Sequence, residues 1–295
     1  MPTRGRGARV LPTVRALLEQ RPVSPDEIVV VDQSPTDETR TALLESGLLE
    51  APRVRYIPQN DVSGASRARN FGFRESRGSI VAFIDDDCVP PADWASRISQ
   101  LFVARDIDLV FGRVAQGAMA GDGWIPTYEP ARSGPVSGSN PSIYDFGLSA
   151  NMAARRSALV GLSGPFEPEI TCGEDTLVGY EAFFKGYRVY ISREISVDHY
   201  GLRNGADLIK LRRNYTRAVG QVYMTQLRRG HARQAAHLLG EVANNTVKAI
   251  LSLLRTGRPS GATAVKWIIQ GAVANLRLYS LDPTTQALVP ARSAE

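Results

Sequence analysis

The chain has 295 residues, 43% of them hydrophobic and 22% charged, proportions of a folded protein with a substantial core rather than a disordered one. Two cysteines, Cys88 and Cys172, are too few for a disulfide framework, and there is neither an apolar signal core nor an apolar run of membrane-spanning length, so a cytoplasmic protein without a transmembrane helix is expected. The net charge of +5 is uneven: residues 201–258 hold eleven Lys and Arg against Asp207 and Glu241, so that segment is +9 and the remainder −4, which predicts a boundary near residue 200 and an anionic partner for the tail.

After Pro2, Thr3 and Arg4, residues 9–20 have helical spacing, with Leu11, Val14, Leu17 and Leu18 on one side. EIVVVD (27–32) is a short apolar run closing on an acid, a buried strand; the polar turn QSPTDET follows, then a helical pattern over 39–49 and a strand over 54–57. Strand, helix, strand in this order is the pattern of a parallel sheet with crossover helices. Residues 63–77 read as a helix with Ser63 as N-cap, and Ala65, Ala68 and Gly72 give it a small-residue face for close packing.

The run SIVAFIDDDCVP (79–90) is a buried strand that ends abruptly in Asp85, Asp86 and Asp87. Open α/β sheets place ligands at the carboxyl ends of their strands. If the strand pleat persists through the acids, Asp85 and Asp87 share one face and Asp86 takes the other. Two carboxylates side by side repel unless a positive charge stands between them, and Mg²⁺ or Mn²⁺ carrying a diphosphate meets that need. The plain alternative is a solvated acidic turn.

A helix over 94–102 and a strand over 108–114 follow; residues 115–146 then lose periodicity and read as a long loop, either a functional lid or a disordered insert. Trp124 and Tyr128 within it either stack on a sugar ring or anchor the loop to the core. Residues 147–156 are strand-like, and 174–185 form a helix whose first turn holds Glu174 and Asp175, where acids complement the helix dipole whether or not they act on a ligand. Strand-like segments at 188–192 and 195–198 lead into His199.

Taken in order, the opening PTR, VVVDQSPTDET, GASRARNFG, AFIDDD, SANMAARR, GPFEP and CGEDTLVGYEAFFKGYRV before His199 resemble family 2 glycosyltransferases, inverting enzymes with a GT-A fold. The resemblance spans roughly residues 1–200 and implies an α/β, Rossmann-like, mostly parallel sheet with flanking helices, followed by a helical appendage over 201–295. It also implies roles. Pro2, Thr3 and Asp32 would line the pocket for the donor's base, with Ser34, Asp37 and Arg69 nearby. Asp85 would contact the ribose beside Asp86, Asp87 would ligate a divalent metal under the sugar-nucleotide diphosphate, and His199 would complete the metal shell. Asp175 would be the general base, with Glu174 orienting it or binding acceptor. Carboxylates in two separate places suit the chemistry, because one takes the acceptor's proton while the other holds the leaving group's cation.

Two departures bear on that reading. Met1 stands directly before Pro2 where the family has an apolar strand, so the first strand is expected to be missing, and Gln33 stands where many relatives carry a second acid. The expected function is metal-dependent inverting transfer from a nucleotide-sugar donor to a glycan, lipid-linked or small-molecule hydroxyl. A non-catalytic sugar-nucleotide-binding protein is one rival. A nucleotidyltransferase is another, but it calls for a Gly-rich basic loop after the first strand, and residues 4–9 match that weakly. In the tail, helices over 206–227, 232–254 and 262–279 are basic and amphipathic. They are either a solvated face packed on the catalytic domain or, over 201–280, a peripheral contact with an anionic membrane; sparse aromatics argue against nucleic acid.

Overall fold

The structure, a computed structural model, describes residues 1–61, 63–118, 123–162 and 164–291. They divide into two compact units, one of residues 1–137 and 146–203, the other of residues 138–145 and 204–295.

The first unit opens with β1 (Pro2–Thr3), α1 (Leu11–Leu18), β2 (Ile28–Asp32), α2 (Glu38–Glu45) and β3 (Val54–Pro58). These three strands form a parallel sheet in the order β1-β2-β3. Every residue of β2 is buried, as a β-branched run covered on both faces requires. Next come α3 (Ala65–Glu75), β4 (Ile80–Ile84), β5 (Cys88–Val89), α4 (Trp94–Ala104), β6 (Leu109–Gln116), β7 (Gly134–Pro135), β8 (Asn151–Arg155), α5 (Arg156–Gly161), α6 (Glu174–Phe184) and β9 (Val189–His199). Their strands make a second sheet, β4-β8-β6-β9-β5, with β6 and β9 parallel and β7 paired to β9. The helix-flanked α/β architecture is thus the expected one, and the two strand-like segments before His199 are the single strand β9.

Three local features differ from expectation. The N-cap of α3 is Gly64 at φ 123°, a conformation open to glycine, and Ser63 caps nothing. The small face of α3 is carried by Ala68 and Gly72, which pack on Val29 and Val31, whereas Ala65 is exposed. The segment before α1 forms the short strand β1, whose register reaches Val31 and Asp32; beside it, between β2 and β4, runs a cavity of about 330 Å³ lined by Val29, Gly72, Val81, Phe83 and Ile98 among others.

The main core lies between α1, α4 and the sheets, built from Val10, Val14, Leu17, Val30, Trp94, Ile98, Phe102, Val110 and Val197. Asn151 pins it: its amide donates to the carbonyls of Arg113 (2.8 Å) and Ile195 (3.0 Å) and accepts from Trp94 Nε1 (2.9 Å), where the β6–β9 register shifts.

The second unit contains α7 (Gly205–Arg228), α8 (Gln234–Thr256) and α9 (Ala262–Leu278), then a hairpin of β10 (Tyr279–Leu281) and β11 (Leu288–Pro290). Gly220 and Gly271 let α7 and α9 approach so closely that a Cβ on either would fall 1.9 Å from a backbone carbonyl of the other helix. Among the described residues no helix is long and apolar enough to cross a membrane.

Candidate active site

Strand β4 ends at Ile84, so the three acids stand on a turn, which Cys88 N closes on Asp85 O at 3.2 Å. The pleat therefore does not carry through them, and the expected two-face alternation fails. Arg6 takes Asp86 and Asp87 together, with Nε 3.1 Å from Asp86 Oδ1 and Nη2 2.7 Å from Asp87 Oδ2, while Asp85 Oδ1 accepts from Arg69 Nη2 at 2.7 Å. The antiparallel pairing of β5 with β9 sets Cys88 opposite His199 and brings His199 Nε2 to 3.1 Å from Asp87 Oδ1. His199 Nδ1 lies 2.7 Å from the Pro126 carbonyl, which fixes the ring, and Arg203 approaches Asp87 at 3.8 Å.

The electrostatics divide the neighbouring acids. Burial would raise Asp87, but the hydrogen bond from His199 and the charges of His199, Arg6 and Arg203 outweigh it and hold the carboxyl at about 2. Burial dominates at Asp86 and lifts it to about 6, against the pull of Arg6 and the Thr3 hydroxyl. His199 is raised, because its bond to Asp87 outweighs the effect of burial.

A carboxylate oxygen and a ring-fixed imidazole nitrogen suit a hard divalent cation. Only glycine fits beside the pair at residue 201: a Cβ there would lie 2.5 Å from Asp87 Oδ2 and 2.6 Å from His199 Nε2. The Cys88 sulfur belongs to the same group of atoms within 4.8 Å, but burial raises its thiol well above the ordinary range, and a protonated soft ligand does not suit Mg²⁺ or Mn²⁺.

At the carboxyl end of β2, Asp32 is buried, and its Oδ1 accepts from Ser34 N (2.8 Å) and the Ser34 hydroxyl, its Oδ2 from the Tyr56 hydroxyl (2.7 Å). Burial and this bond push the Tyr56 phenol upward, so it stays a donor. Pro2 and Thr3 pair with Val31 and Asp32, which sets Thr3 directly beside Asp32. Asp37 stands exposed at the N-cap of α2. The amides of Gly5 and Gly7 are taken by the Ser34 and Thr39 hydroxyls, so the 4–9 segment does not present them as a phosphate loop.

Arg69 connects the two groups of acids. Its guanidinium, 5% exposed, spans from Asp85 to Glu174, where Nη1 donates to Oε1 at 2.9 Å, and it lies over the Phe166 ring at 5.4 Å. The next residue, Asn70, clamps the GPFEP segment by donating to Phe166 O (2.7 Å) and accepting from Phe166 N (3.0 Å). One helix, α3, thereby fixes both the DDD turn and the start of α6. Asp175 follows Glu174 in the first turn of α6, and its carboxylate accepts from Ser149 N (3.2 Å) and Thr176 N (2.9 Å). Burial, reinforced by the Glu174 charge, raises Asp175 to about 7 against the opposing pull of Arg69.

The structure thus brings together Thr3, Asp32 and Ser34 in one group, Asp86, Asp87 and His199 in a second, and Asp85, Arg69, Glu174 and Asp175 in a third. Sequence reasoning missed Arg6, Tyr56, Gly201 and Arg203. Arg6 lies in the weak phosphate-loop candidate, which was its only signal; Gly201 had none beyond standing two residues after His199. In the long loop, Trp124 N and O pair with Arg203 O and N at 2.9 Å, and Tyr128 pairs with Val114 and packs on the core, so Tyr128 anchors the loop. Part of that loop, residues 119–122, lies outside the described residues.

A family model described as glycosyl transferase family 2 matches residues 1–160. Glycosyltransferase AglE of Haloferax volcanii is 31% identical over 93 residues, 32% of this chain and 30% of the relative, so the match spans under a third of that relative's length. Among solved structures, a mannosyltransferase of Pyrobaculum calidifontis in complex with GDP-Man and Mn²⁺ is similar over 93% of this chain and 85% of its own, with a TM-score of 0.63 and 18% identity. TarS 1-349 of S. aureus in complex with UDP-GlcNAc is similar over 76% of this chain and 65% of its own, with a TM-score of 0.55 and 17% identity.

Proposed function

Because this chain belongs to glycosyl transferase family 2, we propose that it moves a sugar from a nucleoside-diphosphate donor to a hydroxyl of a glycan, lipid-linked glycan or small acceptor, with inversion at the anomeric carbon. The observation that carries this reading is the Arg69 bridge, whose two ends hold Asp85, in the turn that also carries Asp87, and Glu174, the neighbour of Asp175.

In this reading Thr3, Asp32 and Ser34 receive the base, and Asp85 the ribose. Asp87 and His199 hold Mg²⁺ or Mn²⁺, which when bound would offset charge on the departing diphosphate. Arg6 and Arg203, already beside Asp87, would add charge-assisted donors for the phosphate oxygens. Asp175 accepts the acceptor's hydroxyl proton; its raised pKa leaves it basic enough to do so near neutral pH. Glu174, held by Arg69, keeps the first turn of α6 in place and adds the negative charge that tunes Asp175. Attack from the Asp175 side, opposite the leaving group, gives inversion.

The test is to incubate the protein with a panel of sugar nucleotides, GDP-mannose and UDP-N-acetylglucosamine first, with Mn²⁺ and candidate acceptors, following nucleoside diphosphate release and the product's anomeric configuration by NMR. Release with an inverted product, abolished in Asp175→Asn, is the expected result. Retention of configuration, or undiminished transfer by Asp175→Asn, would overturn the assignment; donor binding without release by any acceptor would favour the binding-protein rival.

A further inference from the structure

Helix α8 turns its apolar side outward. Leu239, Ala243, Val247, Ile250 and Leu254 recur at spacings of three and four, which places them within about 80° of one another around the helix at 100° per residue. All five are exposed, Leu239 at 68% and Leu254 at 78%. On the opposite side, which packs within its unit, Gln234 donates to Asn140 Oδ1 and Pro141 O at 2.9 Å and Ala249 is the other buried residue, with Leu238 and Val242 half-buried beside them. This inverts the usual arrangement of a helix on a water-soluble unit. Helix α9 repeats the device in shorter form, exposing Ile269, Val273 and Leu276.

The charge pattern selects the occupant. Between Glu241 and Asp282 there is no acid, while Lys248, Arg255, Arg258, Lys266 and Arg277 all fall in that interval. On α9, Lys266 and Arg277 lie about 50° and 75° from the centre of its apolar stripe, on one flank of it, and both are exposed. A second copy docked on this face would bring like charges together. An anionic lipid surface offers hydrocarbon to the stripe and phosphate to the flank, with long cationic side chains able to reach headgroups.

We infer that the outward face of α8, extended by α9, seats in the interface of an anionic bilayer. The inference stands apart from the glycosyl-transfer reading, because vesicle binding is measured without donor or acceptor.

The test is co-sedimentation of the full chain with vesicles of phosphatidylcholine alone and of equal parts phosphatidylcholine and phosphatidylglycerol, at low and high salt, alongside light scattering on the free protein. The expected result is binding to the anionic vesicles only, weakened by salt. The triple change Leu239→Ser, Ile250→Ser, Leu254→Ser should lower partitioning at least tenfold. Lys266→Gln with Arg277→Gln should lower it about fivefold for each charge removed. Because Lys266 and Arg277 are exposed, that pair keeps the fold even where the triple change does not, and circular dichroism checks both. No binding to anionic vesicles, equal binding to both kinds, or a wild-type dimer that the triple change converts to monomer would overturn the inference; the last result would assign the face to a second copy.

Discussion

Arg69 is a buried guanidinium with a carboxylate on each side, and its worth lies in what its loss would strand. Arg69→Ala leaves Asp85 and Glu174 facing each other without a cation, and breaking a buried pair from one side costs about 3–5 kcal/mol. Urea denaturation of the variant checks this; a loss below about 1 kcal/mol would mean the bridge is solvated rather than buried. Asp175 makes a different prediction. A base must be ionised to act, and its raised pKa of about 7 means the ionised fraction grows through neutrality. Turnover should rise tenfold per pH unit below about 7 and level above it; a flat profile from pH 5 to 8 would remove Asp175 as base. Gly201→Ala should abolish Mn²⁺ binding, because the new methyl would displace both Asp87 and His199. Calorimetry with the metal alone reads this directly. The acids of this site were legible in the sequence because they end strands or begin helices. Gly201 and Arg6 were not, because a missing side chain and a guanidinium 80 residues from its partner leave no periodic trace.

At the scale of elements, most strands and helices were legible from period and punctuation, since β2, β4 and β6 are apolar runs bounded by polar turns. What the pattern concealed was how the strands associate. Division into two sheets, and the antiparallel placement of β8 between β4 and β6, follow from long-range pairing that no local window contains. The Asn151 side chain is part of that hidden information. SANMAARR reads as a strand, yet its asparagine earns its place by filling three hydrogen-bond positions at the β6–β9 irregularity. Asn151→Ala would orphan Trp94 Nε1 and two carbonyls, and at about 1–3 kcal/mol per buried orphan the loss should reach about 3 kcal/mol or more. Thermal unfolding measures it, and an unchanged midpoint would mean water replaces the amide.

For the molecule as a whole, the charge asymmetry visible in composition separates a first unit that holds the acids of the candidate site from a helical second unit with a long acid-free stretch. The sequence signalled the basic tail but not that α8 faces its leucines outward, because periodicity defines a stripe without saying which way it points. The central proposal concerns the first unit: Asp87 and His199 would hold the donor's diphosphate through a cation, and Asp175, whose neighbour Glu174 is linked by Arg69 to Asp85 of the same acidic turn, would act on the acceptor. Calorimetric titration of the preferred sugar nucleotide in Mn²⁺ into wild type, Asp87→Ala and Asp175→Asn tests that division most directly. The account predicts that Asp87→Ala loses donor binding while Asp175→Asn keeps it within about twofold, since only the former removes a group placed at the diphosphate. Equal donor affinity in all three proteins, or equal loss in both variants, would contradict it.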